Sequence, residues 1–140
     1  MLKTRASRET WLFVVMALLV LGAGLGLRDP WPSDEPRFAL VAKQMVDSGH
    51  WLFPHRGLEL YSDKPPMLMW WQATLYHLIG DWRLAFLLPS LIAALDALWC
   101  VVDLGDRLWT RRVGLYAGWA LLFALQFTFQ AKKAQIDPLV

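Results

Sequence analysis

Met67-Leu-Met-Trp-Trp-Gln-Ala-Thr-Leu-Tyr-His-Leu-Ile-Gly80 is strongly apolar and rich in aromatics, yet only fourteen residues long. A helix that crosses a bilayer needs about 20 such residues. Gln72, Thr74 and His77 interrupt the run, and the adjacent indoles of Trp70 and Trp71 favour the headgroup level over the hydrocarbon. The stretch therefore reads as interfacial or re-entrant. The side of the membrane on which every later residue falls depends on that reading.

Outward from it toward the N-terminus lies Tyr61-Ser-Asp-Lys-Pro-Pro66, the end of a polar loop of about forty residues from Arg28, long enough to point to function. The loop opens on Trp31-Pro-Ser-Asp-Glu-Pro-Arg37, with two adjacent carboxylates, Asp34 and Glu35. Phe38, Val41, Ala42, Met45 and Val46 then follow the i, i+3, i+4, i+7, i+8 spacing of one helix face. Arg37, Lys43, Gln44, Asp47 and Ser48 take the other side. Asp34 suits the cap, Pro36 the first turn and Gly49 the stop. Such a short amphipathic helix is expected to lie on the membrane. Ahead of the loop, Trp11 to Leu27 gives seventeen uncharged residues after a basic flank of Lys3, Arg5 and Arg8. This reads as an uncleaved anchor or as a secretory signal, and either leaves Arg28 onward outside.

Toward the C-terminus, Leu84–Val102 and Val113–Ala131 are apolar runs of spanning length, separated by a link carrying Arg107, Arg111 and Arg112. If 67–80 lies flat, residues 1–8 and 107–112 both fall inside, as basic flanks should. Asp34, Lys64 and Asp137 then share the outer face; a crossing at 67–80 would strand Asp137 opposite Asp34. The expected fold class is all-α: a polytopic membrane protein with about three transmembrane helices (11–27, 84–102 and 113–131) and two interfacial helices in an outer loop, 28–83. The composition agrees, with 56% hydrophobic and 19% charged residues and the apolar residues blocked into runs. A formal charge of +2 without a basic stripe excludes nucleic acid as a partner. The single cysteine, Cys100, excludes an internal disulfide.

Each candidate for chemistry has a plain structural reading beside the functional one. Asp34 and Glu35 can cap a helix and meet its dipole, or serve as a general base or as a carboxylate facing developing positive charge on a sugar. Lys64, stiffened by two following prolines, can meet a phosphate or snorkel to anionic headgroups. Asp137 can act as a site carboxylate or cap a following helix. Asp96, inside a span, is costly there and marks the residue a transporter would use. His50, His55 and His77 read as isolated, with no metal-ligand spacing.

Taken in order, Asp34-Glu-Pro-Arg-Phe-Ala-Leu-Val-Ala-Lys-Gln-Met45, Ser48-Gly-His-Trp51, Leu60-Tyr-Ser-Asp-Lys-Pro-Pro66 and Ile136-Asp-Pro138 resemble the outer loops of GT-C glycosyltransferases. The closest likeness is to family 39, the protein O-mannosyltransferases and aminoarabinose lipid A transferases, over about residues 10–140. By position, the resemblance implies catalytic roles for Asp34 and Asp137, and substrate binding by Glu35, Arg37, Tyr61 and Lys64. It also implies a polyprenyl-phosphate-linked sugar donor, a lipid or protein acceptor and contact with membrane lipids. The location implied is the inner membrane, multi-pass, with the catalytic loop on the periplasmic side. Asp63 stands where lipid A transferases often carry a glutamate linked to metal binding. No cofactor is firmly implied, and a divalent metal stays an open expectation. Phe38 replaces the motif's usual tyrosine.

The chemistry implied is inversion at the anomeric carbon with polyprenyl phosphate leaving. A hydroxyl acceptor needs a base, whose contribution is about 10²–10⁴-fold. A phosphate acceptor is already largely ionised, which leaves Asp34 to orient it. Lys64 would offset charge growing on the leaving phosphate. Family members continue through many more helices, so this chain is expected to be the N-terminal part of such an enzyme, inactive alone. A small non-enzymatic membrane protein and a transporter fragment are the rival readings.

Overall fold

The computed structural model describes residues 2–27, 35–61 and 66–134. The described residues form helices α1 (Leu2–Gly22), α2 (Glu35–Ser48), α3 (Met67–Ile79), α4 (Trp82–Ala85), α5 (Leu88–Leu108), α6 (Arg111–Leu122) and α7 (Leu125–Ala131), with one small hairpin, β1 (His55–Arg56) and β2 (Glu59–Leu60). The fold is all-α apart from that hairpin. The chain divides into two compact units, Met1–Ala23 with Leu91–Lys132, and Gly24–Ser90 with Lys133–Val140.

In the first unit, Phe13, Ala17 and Leu21 of α1 recur at every fourth position and meet Ala94, Leu98, Leu115, Leu122 and Ala131. The opposite faces of α1 are equally apolar, with Trp11, Leu12, Val15, Leu18 and Leu19 exposed. Over residues 11–22, α1 is thus apolar on every face, whereas its first turns carry Lys3, Arg5, Arg8 and Glu9. It starts nine residues before the expected anchor and stops at Gly22, five before its expected end. The cause is local: Gly24 and Gly26 take φ values of 90° and 74°, which a helix cannot.

One stretch among the described residues, Trp82–Leu108, is long and apolar enough to cross a membrane, and it contains the expected span 84–102. Pro89 is tolerated because it sits in the first turn of α5, where its missing N–H is not needed. The expected span 113–131 is instead broken: α6 and α7 are bent by 71° at Phe123–Ala124. Neither proline nor glycine marks the break. Thr128 provides the local compensation, its hydroxyl donating to the Leu122 carbonyl at 2.6 Å. A freed carbonyl in an apolar setting needs such a donor.

Close packing in this unit rests on Gly105, Gly114 and Gly118. A Cβ on Gly105 would lie 2.5 Å from the Gly114 Cα, and one on Gly114 would collide with the Val102 carbonyl. Gly114 and Gly118 are spaced as in the small-xxx-small packing of membrane helices. Near the middle of α1, the Arg111 guanidinium donates to the Thr10 hydroxyl at 2.8 Å.

In the second unit, α2 forms as its pattern predicts, and Gly49 ends it with φ 72° while its N–H reaches the Met45 carbonyl at 3.0 Å. Its apolar face is not left for lipid, however. Phe38, Val41, Ala42 and Met45 pack against Leu68, Met69 and Ala73 of α3 and against Tyr61. The other face of α3 presents Met67, Trp70, Trp71, Leu78 and Ile79 outward. Thirteen residues of helix rise only about 20 Å, well short of a bilayer's hydrocarbon. Gly80, at φ 74°, caps α3, and Asp81 caps α4 by accepting from the Arg83 N–H.

The hairpin was not legible in the sequence. His55 pairs with Leu60 and Arg56 with Glu59, around a two-residue turn whose first residue, Gly57, has φ 68°. Gln44 of α2 accepts the Gly57 N–H at 3.0 Å, and the Trp70 indole of α3 donates to the Trp51 carbonyl at 2.7 Å. Both bonds fasten the loop to the α2–α3 pair.

Candidate active site

The second unit brings together chain segments almost a hundred residues apart. Glu35, the first residue of α2, is 2% exposed, and its Oε1 accepts the backbone N–H of Ala134 at 2.8 Å. Ala134 is itself buried, packed with Phe86 and Leu87 and against Leu25. A carboxylate in a helix's first turn also faces the positive end of the helix dipole. The acidic motif and the segment leading to Ile136-Asp-Pro138 are thus joined at a described, buried contact.

Two residues further on, the Arg37 guanidinium lies 5.5 Å from the centre of the Phe38 ring and 5.9 Å from that of Tyr61. Arg37 is half-buried, so it is not simply part of α2's solvated side as its spacing predicts. Tyr61 is buried, and its N–H donates to the Pro54 carbonyl at 2.8 Å, which closes the hairpin. Guanidinium over two rings is an electrostatically favourable arrangement that keeps the charge near the N-terminus of α2. Glu35, Arg37 and Tyr61, three of the residues singled out by sequence, therefore share one region.

Asp34, Asp63, Lys64 and Asp137 lie outside the described residues. In sequence Asp34 adjoins Glu35, and Asp137 follows Ala134 by three residues. Lys64 is two residues before Pro66, at the entry to α3. Among the described residues no group of three His, Cys, Asp or Glu side chains could hold a metal ion.

Two features escaped the sequence. His50 and His55, read as isolated, face each other edge-on with ring centres 6.1 Å apart, because the hairpin folds back. Gln72, read only as an interruption of an apolar run, is fully buried and donates to the Phe86 carbonyl at 3.0 Å. Its position on the same face as Leu68, Met69 and Ala73 was the available signal. Asp96 is exposed on α5, and among the described residues no cation pairs with it.

Comparison with known proteins gives a consistent picture. Residues 63–140 match the model of a family described as dolichyl-phosphate-mannose-protein mannosyltransferase. An undecaprenyl phosphate-α-4-amino-4-deoxy-L-arabinose arabinosyl transferase from Shewanella sediminis is 37% identical over 101 residues, 72% of this chain and 18% of the relative. One of the same name from Pseudomonas savastanoi is 30% identical over 135 residues, 94% of this chain and 25% of the relative. Two crystal structures of ArnT from Cupriavidus metallidurans are similar. The apo state has a TM-score of 0.85 at 29% identity, covering 96% of this chain and 25% of that one. The state bound to undecaprenyl phosphate has a TM-score of 0.86 at 28% identity, covering 92% and 24%. The chain thus spans about a fifth to a quarter of the length of these relatives.

Proposed function

Because the chain belongs to the dolichyl-phosphate-mannose-protein mannosyltransferase family, we propose that it is the N-terminal part of a membrane glycosyltransferase that takes a sugar from a polyprenyl phosphate. The names of the relatives favour aminoarabinose on undecaprenyl phosphate as donor; lipid A as acceptor is favoured by the likeness of the loop motifs to aminoarabinose lipid A transferases. A protein hydroxyl is the other acceptor, favoured by the family's description. The observation that carries the reading is the Glu35–Ala134 bond. It joins the two segments whose acidic residues, Asp34 and Asp137, the proposed chemistry needs at one place.

In this reading Asp34 and Asp137 are the catalytic carboxylates. Lys64 meets the donor phosphate as a point charge and offsets the charge that develops as it leaves. Arg37 and Tyr61 line the same region and orient donor or acceptor. The reaction inverts the anomeric carbon. A lipid phosphate acceptor is ionised before it attacks, so Asp34 orients it; a hydroxyl acceptor gives its proton to Asp34.

The membrane arrangement follows. Three crossings, 11–27, 84–102 and the bent 113–131, leave 28–83 as an outer, periplasmic loop in which α2 and α3 lie near the surface. Two observations support this. The Thr10–Arg111 bond puts both basic flanks at one end of the first unit, as retention on the inner side requires. Glu35 meeting Ala134 agrees with loops that emerge on the same side.

The test uses the full reading frame that contains the chain, expressed in membranes supplied with labelled undecaprenyl-phosphate aminoarabinose. Label should pass to lipid A, and Asp34→Asn should abolish transfer while membrane insertion stays unchanged. Transfer retained by Asp34→Asn removes Asp34 from its role, and no transfer to lipid A or to a protein acceptor by the unaltered enzyme sinks the reading.

A further inference from the structure

Glu35 is expected from the resemblance to touch substrate, yet the structure has one of its carboxylate oxygens occupied and the side chain almost wholly covered. Oε1 is 2.8 Å from the Ala134 nitrogen, and Glu35 is 2% exposed. We propose that Glu35 is a positioning residue: its carboxylate clamps the chain at Ala134 to the first turn of α2. The proposal rests on the glycosyltransferase reading for its consequence in catalysis, but the clamp itself is a structural claim that can be tested separately.

Ala134 is anchored on its apolar side by Phe86, Leu87 and Leu25. Those contacts fix where the residue packs, and a buried N–H left without an acceptor is costly. Glu35 supplies that acceptor from a rigid platform, because α2 is held against α3 by its buried face. The chain at Ala134, three residues before Asp137 in sequence, is thereby held to the first turn of α2. Misplacing a reacting group by about 1 Å can cost roughly 10²-fold in rate. A clamp at this position therefore acts on catalysis without Glu35 meeting the sugar.

Positioning and substrate binding make opposite predictions for two conservative variants. Glu35→Gln keeps the carbonyl oxygen and the length but removes the charge. Glu35→Asp keeps the charge but shortens the reach by one methylene. If Glu35 positions the loop, the Gln variant retains kcat, whereas the Asp and Ala variants lose about 10²-fold in kcat with the donor KM little changed. If it binds substrate by charge, the order reverses, and that result overturns the proposal.

A second readout needs no activity. In a Cys100→Ser background, Ala134→Cys should be shielded from a soluble maleimide. Shielding should persist with Glu35→Gln and be lost with Glu35→Ala and Glu35→Asp. Continued shielding in all three refutes the clamp whatever the enzyme's reaction is. A transfer assay that fails for the unaltered enzyme, alongside labelling that follows the predicted order, refutes only the glycosyltransferase reading. Should Glu35→Ala not reach the membrane, the Gln and Asp variants alone decide the question.

Discussion

Gln72 donates from Nε2 to the Phe86 carbonyl at 3.0 Å, and the whole carboxamide is buried. The bond runs from the buried face of α3 to the turn between α4 and α5. Its Oε1 has no hydrogen-bond partner among the described residues, so Gln72 brings one satisfied and one unsatisfied group into an apolar interior. Gln72→Ala should therefore destabilise by about 1–3 kcal/mol through the carbonyl left without this donor and the lost packing. Gln72→Leu should cost less than Gln72→Ala, because it refills the space and removes the orphaned oxygen. Unfolding in mixed micelles measures both, and equal costs would contradict this account.

The same residue shows where sequence reading stops. Helix α2 was legible almost to the residue, since its apolar spacing, first-turn proline and terminal glycine all point one way. The covering of its apolar face was not: amphipathic spacing states that a face is apolar, not whether lipid or α3 lies against it. The break in 113–131 was hidden for a related reason. Phe123-Ala124 has no helix breaker, and the compensating Thr128 hydroxyl acts through a backbone carbonyl six residues back. Residue types and order singled out Glu35, Arg37 and Tyr61, which the second unit brings into one region. The partner of Glu35 is a backbone N–H, which leaves no mark in residue type at all.

The glycines of α5 and α6 give a graded prediction. A methyl on Gly114 meets backbone, the Val102 carbonyl, whereas one on Gly118 meets the side-chain ends of Val102 and Phe13 at 2.6 and 2.9 Å. Backbone cannot swing aside, but side-chain ends can. Gly114→Ala should cost more than Gly118→Ala, within the roughly 1–3 kcal/mol of an overpacked core. Denaturation in mixed micelles gives the order, and a costlier Gly118→Ala would mean that the helices separate more easily than the side chains turn.

Thr128 offers a test of the bend. Thr128→Val keeps the shape and removes the hydroxyl from the Leu122 carbonyl, at a cost of about 1–3 kcal/mol in an apolar setting. Thr128→Ser keeps the donor and should stay near the unaltered protein. If both substitutions behave alike, the hydroxyl is incidental and the bend has another origin.

The side of the membrane taken by each loop is open to direct labelling, and the aromatic helix decides the outcome. With α3 at the surface, cysteines at Ser33 and Ser62 face outward and one at Trp109 faces inward. Trp109 is the better probe in the basic link because its side chain is exposed, whereas the neighbouring Thr110 hydroxyl caps α6 by accepting the Val113 N–H. In a Cys100→Ser background, an impermeant maleimide should label the first two positions in intact cells and the third only after permeabilisation. Arg107, Arg111 and Arg112 near that probe make its retention inside the expected result, since basic links resist translocation. Labelling of the Trp109 position from outside would require α3 to cross. Thirteen residues could do that only by thinning the bilayer around them, and the carboxylates at 34 and 137 would then open to different compartments.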